Sequence, residues 1–150
     1  MEIRYGRGDW PGVECLRLTR EHLTPVCAPA IARALASPGD LAGHTLLHAV
    51  GFETGWPQWL GAAGAADILE RTTALLADTT ATVLELAAHG SGIAMGRSGF
   101  IDALLTEGRL QAPFDLCLDT DEAFFLVRLP GGEARTDAAA FWDWMAGQAA

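Results

Sequence analysis

The chain has 150 residues, half of them hydrophobic, and its 19 acidic and 10 basic side chains leave a net charge of −9. A surface this acidic repels phosphate backbones, and the sequence has no lysine and no basic cluster, which excludes direct binding of nucleic acid or an anionic membrane by these residues. No apolar run reaches the roughly 18 residues of a membrane helix, and no signal-peptide core opens the chain. The scattered cysteines form no C-x-x-C pair, which fits a reducing compartment. We therefore expect a soluble cytoplasmic protein.

The opening part of the chain is predicted to form short strands. A loop rich in glycine and proline separates the first two strands over residues 6–12, and Pro29 ends the third. The predicted strands cover residues 3–6, 13–19 and 23–27.

The middle of the chain alternates between buried strands and amphipathic helices, several of which end at a glycine. Strands are predicted at residues 45–50, 73–77 and 92–95, and helices at residues 30–35, 56–63, 80–89 and 100–107. This order predicts an α/β fold with a mainly parallel sheet and helices on both faces.

The last elements are a strand at residues 123–129 and an aromatic amphipathic helix at residues 137–147. The opening strands have too few neighbours in sequence to make a sheet alone. We therefore expect the two ends of the chain to form one lobe together, from residues 1–28 and 115–150, and residues 29–114 to form a second lobe.

One candidate binding feature is the run Asp78-Thr79-Thr80 at the start of the third predicted helix. A helix N-terminus presents free N–H groups to an anion, and this one follows a parallel strand, at the edge where open α/β sheets bind ligands. The alternative interpretation is a simple helix cap, since all three residue types are good N-caps.

A second candidate is the loop Gly6-Arg7-Gly8-Asp9, whose glycines allow close backbone approach and whose arginine could hold a carboxylate. Trp10 lies in the same loop and could line a cleft. The alternative interpretation of this loop is a surface turn.

No catalytic or metal-binding constellation is predicted. The run Gly96-Arg97-Ser98-Gly99-Phe100 resembles a nucleophile elbow but has phenylalanine where the last glycine is required. His44 and His48 have neither a third ligand nor an adjacent glutamate base. We therefore predict a protein that is not an enzyme and needs no metal or cofactor.

An ordered series of segments resembles the LysR-type transcriptional regulators, and more narrowly their group with the glycine-cleavage activator and the β-lactamase regulator. Residues 77–80 (A-D-T-T) resemble the F-D-[DS]-[ST] run of that family, with Ala77 in place of phenylalanine. The other segments are residues 3–12, 25–29, 40–41, 44, 46–48, 56, 59, 90–96, 108–110, 113–114, 124–127 and 140–144.

The resemblance implies a periplasmic-binding-protein-like (type II) effector domain with two α/β lobes, here truncated at its N-terminus. A small metabolite, expected to bear a carboxylate, would bind between the lobes and modulate DNA binding by a homo-oligomeric regulator, a dimer or a tetramer. The resemblance implies effector-binding roles for seven residues: Tyr5, Gly6, Arg7, Asp78, Thr79, Thr80 and Phe124. Trp10 and Arg97 are two further candidates.

The family begins with a helix-turn-helix and a linker helix, and its first lobe opens with a β-α-β-α portion; none of these is found in this sequence. The resemblance therefore predicts DNA contact only through a domain absent from the chain, and a truncated lobe whose open sheet edge favours oligomers or strand exchange. The alternatives are a standalone small-molecule-binding or dominant-negative oligomerisation protein and an enzyme on the same fold.

Overall fold

The computed structural model describes residues 1–131 and 136–148. The chain divides into two compact units, the first formed by Met1–Glu21 and Thr120–Ala150 and the second by His22–Asp119. Within the described part of the chain, no helix has both the length and the apolar character that crossing a membrane requires.

The first unit contains a three-stranded antiparallel sheet of β1 (Glu2–Gly6), β2 (Glu14–Arg17) and β8 (Ala123–Arg128), followed by helix α5 (Thr136–Gln148). The central strand is β8, which pairs with β1 on one side and with β2 on the other. The two ends of the chain thus share one sheet. Its core consists of Ala123, Phe125 and Val127, with Trp10, Val13 and Cys15 packed against them.

The second unit is built on a five-stranded sheet in the order β5-β4-β6-β3-β7. Its strands are β3 (Glu21–Val26), β4 (Thr45–Ala49), β5 (Thr73–Ala77), β6 (Ile93–Arg97) and β7 (Leu118–Thr120). As the α/β alternation predicts, β4 is parallel to both β5 and β6. Strand β3 is antiparallel to β6, so the sheet is mixed.

Helices cover both faces of this sheet, as predicted. Neighbouring residues of β4 show the division: Leu46 packs into one apolar cluster with Trp56 and Trp59, and Leu47 packs into the other with Val83 and Ile101, because successive side chains of a strand point to opposite faces. The first face carries α1 (Pro29–Ala32), α2 (Trp56–Ala62) and the 3-10 helices Pro38–Gly43 and Ala66–Arg71; the second carries α3 (Thr80–Ala88) and α4 (Ser98–Thr106).

Several element boundaries differ from those predicted. Helix α1 stops at Ala32 instead of residue 35, β6 runs on to Arg97, and α4 begins at Ser98. The division into units also differs from the predicted lobes, because β3 pairs with β6 over Leu23–Val26 and so lies in the sheet of the second unit. The three-residue strand β7 was not predicted.

Candidate functional site

A pocket of about 260 Å³ lies in the second unit, at the carboxyl ends of β4 and β6 and beside the first residue of α3. Open α/β folds bind their ligands at this edge, the carboxyl ends of their parallel strands. The lining residues are His48, Ala49, Phe52, Glu53, Thr54, Gly55, Pro57, Gln58, Thr80, Met95 and Arg97.

Arg97 supplies a buried cation to this pocket, since the residue is only 2% exposed. Its Nη2 donates a hydrogen bond to the carbonyl oxygen of Thr54 at 2.5 Å, and its guanidinium lies over the Phe52 ring, 3.9 Å from the ring centroid. Stacking and hydrogen bonding together use the planar shape of the guanidinium. Arg97 therefore fixes the loop between β4 and α2 that forms one wall of the pocket.

The three polar residues at the start of α3 have different roles. The Oγ1 of Thr79 accepts a hydrogen bond from the backbone N–H of Thr82 at 3.1 Å and lies 2.8 Å from the Thr82 hydroxyl. Thr79 is thus the N-cap, as the alternative interpretation had it. Asp78 and Thr79 are exposed, whereas Thr80 lines the pocket.

The candidate residues of the first unit lie together around the ends of β1 and β8. Tyr5 donates a hydrogen bond from its hydroxyl to Glu21 Oε2 at 3.1 Å and meets the Phe124 ring edge-on at 4.9 Å. Gly6 has a φ of 153°, and a Cβ there would lie 2.8 Å from Trp10, so the glycine makes room for the indole. Arg7 is exposed.

The pocket residues Phe52, Glu53 and Thr54 were not predicted, since a loop carries no periodic signal. The sequence indicated no role for His48 beyond its spacing to His44, which is too little for a metal site. No group of three or more His, Cys, Asp or Glu that could hold a metal occurs among the described residues. Burial lowers the pKa of His48 from its ordinary 6.5, which favours a neutral imidazole in the pocket.

The lowered pKa of His48 predicts a pH-dependent stability. The folded state binds this proton more weakly than the unfolded chain, so we expect the free energy of unfolding to fall as the pH drops from 6.5 towards the lowered pKa. Above pH 6.5 both states are neutral, and the group contributes no pH dependence. Urea unfolding at about pH 7.5 and about pH 5.5 should show this loss in the unchanged chain and a smaller one in His48→Gln.

The matched control for this measurement is Thr73→Val, since Thr73 is an exposed residue of the same unit whose side chain does not titrate. It should keep the pH dependence of the unchanged chain. An equal loss of stability at low pH in His48→Gln and in the unchanged chain would contradict the prediction.

The whole chain matches a family of known proteins. The model of the LysR substrate binding domain matches residues 2–150. The chain is 34% identical over 148 residues to the HTH-type transcriptional activator AmpR of Pseudomonas aeruginosa, covering 99% of this chain and 49% of that protein. It is also 34% identical over 151 residues to the glycine cleavage system transcriptional activator of Escherichia coli, again covering 99% and 49%. The chain thus spans about half the length of the curated relatives it matches.

The solved structures that the fold matches include effector domains of the same regulators. The fold matches the effector domain of AmpR from Pseudomonas aeruginosa with a TM-score of 0.85 and 33% identity, over 97% of this chain and 70% of that one. It matches the AmpR effector binding domain of Citrobacter freundii with a TM-score of 0.85 and 26% identity, over 97% of this chain and 72% of that one.

Proposed function

Because the chain belongs to the LysR substrate-binding domain family, we propose that it senses a small effector bearing a carboxylate, in the pocket of the second unit. The observation that carries this proposal is the buried guanidinium of Arg97 at the pocket wall. A charge-assisted hydrogen bond from a guanidinium to a carboxylate is stronger than a neutral one.

Two further features support an anion of the size of a common metabolite. Thr80, the first residue of α3, lines the pocket, so an anion there meets the positive end of the helix dipole and a hydroxyl. A pocket of about 260 Å³ is small for a drug-sized ligand. The effector-binding roles predicted for Tyr5, Gly6, Arg7, Trp10, Asp78, Thr79 and Phe124 stay predictions.

The buried thiol of Cys27 is poorly suited to act as a nucleophile. Burial raises the pKa of Cys27 to about 11, so this thiol is protonated at neutral pH and is a poor nucleophile. The relatives are named as transcriptional activators. We therefore propose that the chain is not an enzyme and works in the cytoplasm as part of a homo-oligomeric regulator, whose DNA contacts belong to a helix-turn-helix outside this chain.

A thermal-shift screen against amino acids and small organic acids tests the binding proposal. A ligand at about 100 times its dissociation constant adds roughly 2.7 kcal/mol to the free energy of unfolding, which raises the Tm by about 4 °C or more. We expect a carboxylate to give such a rise and its methyl ester to give none. In Thr80→Val, which keeps the shape but removes the hydroxyl, the rise should shrink.

The matched control is Thr73→Val, an exposed position of β5 outside the pocket, where the rise should persist. A flat response across the acids, or equal rises in Thr80→Val and the unchanged chain, would contradict the proposed pocket.

A further inference from the structure

Strand β6 places a cationic and an apolar side chain one after the other in the pocket of the second unit. Successive side chains of a strand point to opposite faces of the sheet. Ala94 packs with the helices of one face, whereas Ile93 and Met95 pack with Trp56 on the other. Arg97 follows Met95 on that same face, roughly 7 Å further along the strand. Both Met95 and Arg97 line the pocket.

Met95 lies where the pocket meets the hydrophobic core. Its half-buried side chain packs against the cluster that contains Trp56 and Ile93, and both of these are fully buried. The indole N–H of Trp56 donates a hydrogen bond to the carbonyl oxygen of Leu47 at 3.1 Å, which fixes the ring behind Met95. Met95 is therefore the side chain at which the pocket ends against a rigid core.

The rest of the lining suits a carbon chain attached to a carboxylate. Burial lowers the pKa of His48, so its imidazole favours the uncharged form. Glu53 is acidic but exposed, so its carboxylate stays hydrated. Three further apolar residues line the pocket: Ala49, Phe52 and Pro57. A carboxylate bound by Arg97 thus has apolar and uncharged groups available to bury the rest of the molecule.

We propose that Met95 forms the floor of the pocket and sets the length of the carbon chain that the effector can carry. The effector is an aliphatic carboxylate, with its charge at Arg97 and its chain directed along β6 towards Met95. The inference rests on the proposed function, because it requires a carboxylate bound at Arg97. Each CH2 group that is buried strengthens binding about fourfold, until the chain reaches Met95 and a longer one clashes with it.

Calorimetric titration with straight-chain monocarboxylates, from acetate to octanoate, tests this proposal. In the unchanged chain, affinity should rise about fourfold with each added CH2 group up to an optimum length. Beyond that length it should fall at least about tenfold, because an overfilled pocket is strained. Met95→Ala removes the side chain beyond Cβ, so its optimum should lie about two carbons higher. Met95→Leu, which is similar in volume, should keep the optimum of the unchanged chain.

Leu69→Ala is the matched control for Met95→Ala. Leu69 is also half-buried and packs against the same apolar cluster, but it does not line the pocket. The two variants should lose stability to a similar extent in urea unfolding, whereas Leu69→Ala should keep the optimum chain length. Met95→Val is a smaller truncation and should shift the optimum in the same direction as Met95→Ala, which keeps the test decisive if the alanine variant unfolds.

Two results would overturn the role of Met95 and leave the proposed function intact. One is an affinity that does not depend on chain length, and the other is an optimum that Met95→Ala and Met95→Val do not shift. In both cases carboxylates still bind, and Arg97→Met still abolishes their binding. If no acid of this series binds while another acid of the thermal-shift screen does, the apolar chain is excluded. If no acid binds in either experiment, the proposed function fails as well.

Discussion

Replacing Gly92 with alanine is expected to lower the free energy of unfolding by about 3 kcal/mol, because overpacking at a rigid site is strongly destabilising. A Cβ on Gly92 would lie 2.5 Å from the carbonyl oxygen of Thr45 and 3.1 Å from the Leu47 side chain. The oxygen belongs to the backbone of β4, which is parallel to β6 and pairs Leu46 with Ile93. Relief of the clash would therefore push two central strands apart.

Replacing Gly61 with alanine is instead expected to raise the free energy of unfolding. This glycine is exposed within α2, and a Cβ there would meet no atom within 4 Å. Alanine should stabilise the helix by about 0.5–1 kcal/mol, because glycine loses more backbone entropy on folding. Urea unfolding of both variants gives the comparison, and a Gly92→Ala chain as stable as Gly61→Ala would contradict the packing described for β4 and β6.

The alternation of elements in the second unit was predictable because its periodic signals are local. Strand β5 covers Thr73–Ala77, the range expected from the sequence, and α2 and α3 each end within one residue of the prediction. Glycines with positive φ follow these helices at Gly64 and Gly90, where the left-handed conformation ends a helix.

The membership of strands in sheets depends on pairing between distant segments, which periodicity does not report. Strand β3 was predicted as a strand, but its pairing with β6 assigns Leu23–Val26 to the second unit. Strand β7 has three residues, Leu118–Thr120, too few for an alternation to be recognised.

The pocket could be predicted only where a regular element ends. The sequence located the start of α3, but it did not distinguish Thr79, which caps the helix, from Thr80, which lines the pocket. Loop residues such as Phe52 and Thr54 contribute to the pocket because Arg97, more than forty positions away in sequence, contacts both. That contact is a product of the tertiary fold.

Replacing Arg97 with methionine is expected to abolish the rise in Tm that a carboxylate effector gives, since it removes the buried cation from the pocket. The variant should also unfold more easily by about 1–3 kcal/mol, because the carbonyl of Thr54 loses its hydrogen bond in a half-buried site. Arg71→Met is the matched control, since Arg71 is exposed and pairs only weakly with Asp67 at 3.7 Å. It should leave both quantities unchanged.

Arg97→Lys separates the charge of the side chain from its shape. Lysine keeps a cation but lacks the planar group that lies over Phe52 and donates to Thr54. If the guanidinium orders the loop as well as attracting the anion, the lysine variant should bind at least about tenfold more weakly than the unchanged chain and more strongly than Arg97→Met. Calorimetric titration with the acid found in the screen measures all three proteins. Equal affinity in Arg97→Lys and the unchanged chain would mean that charge alone matters, and equal affinity in Arg97→Met would remove Arg97 from the site.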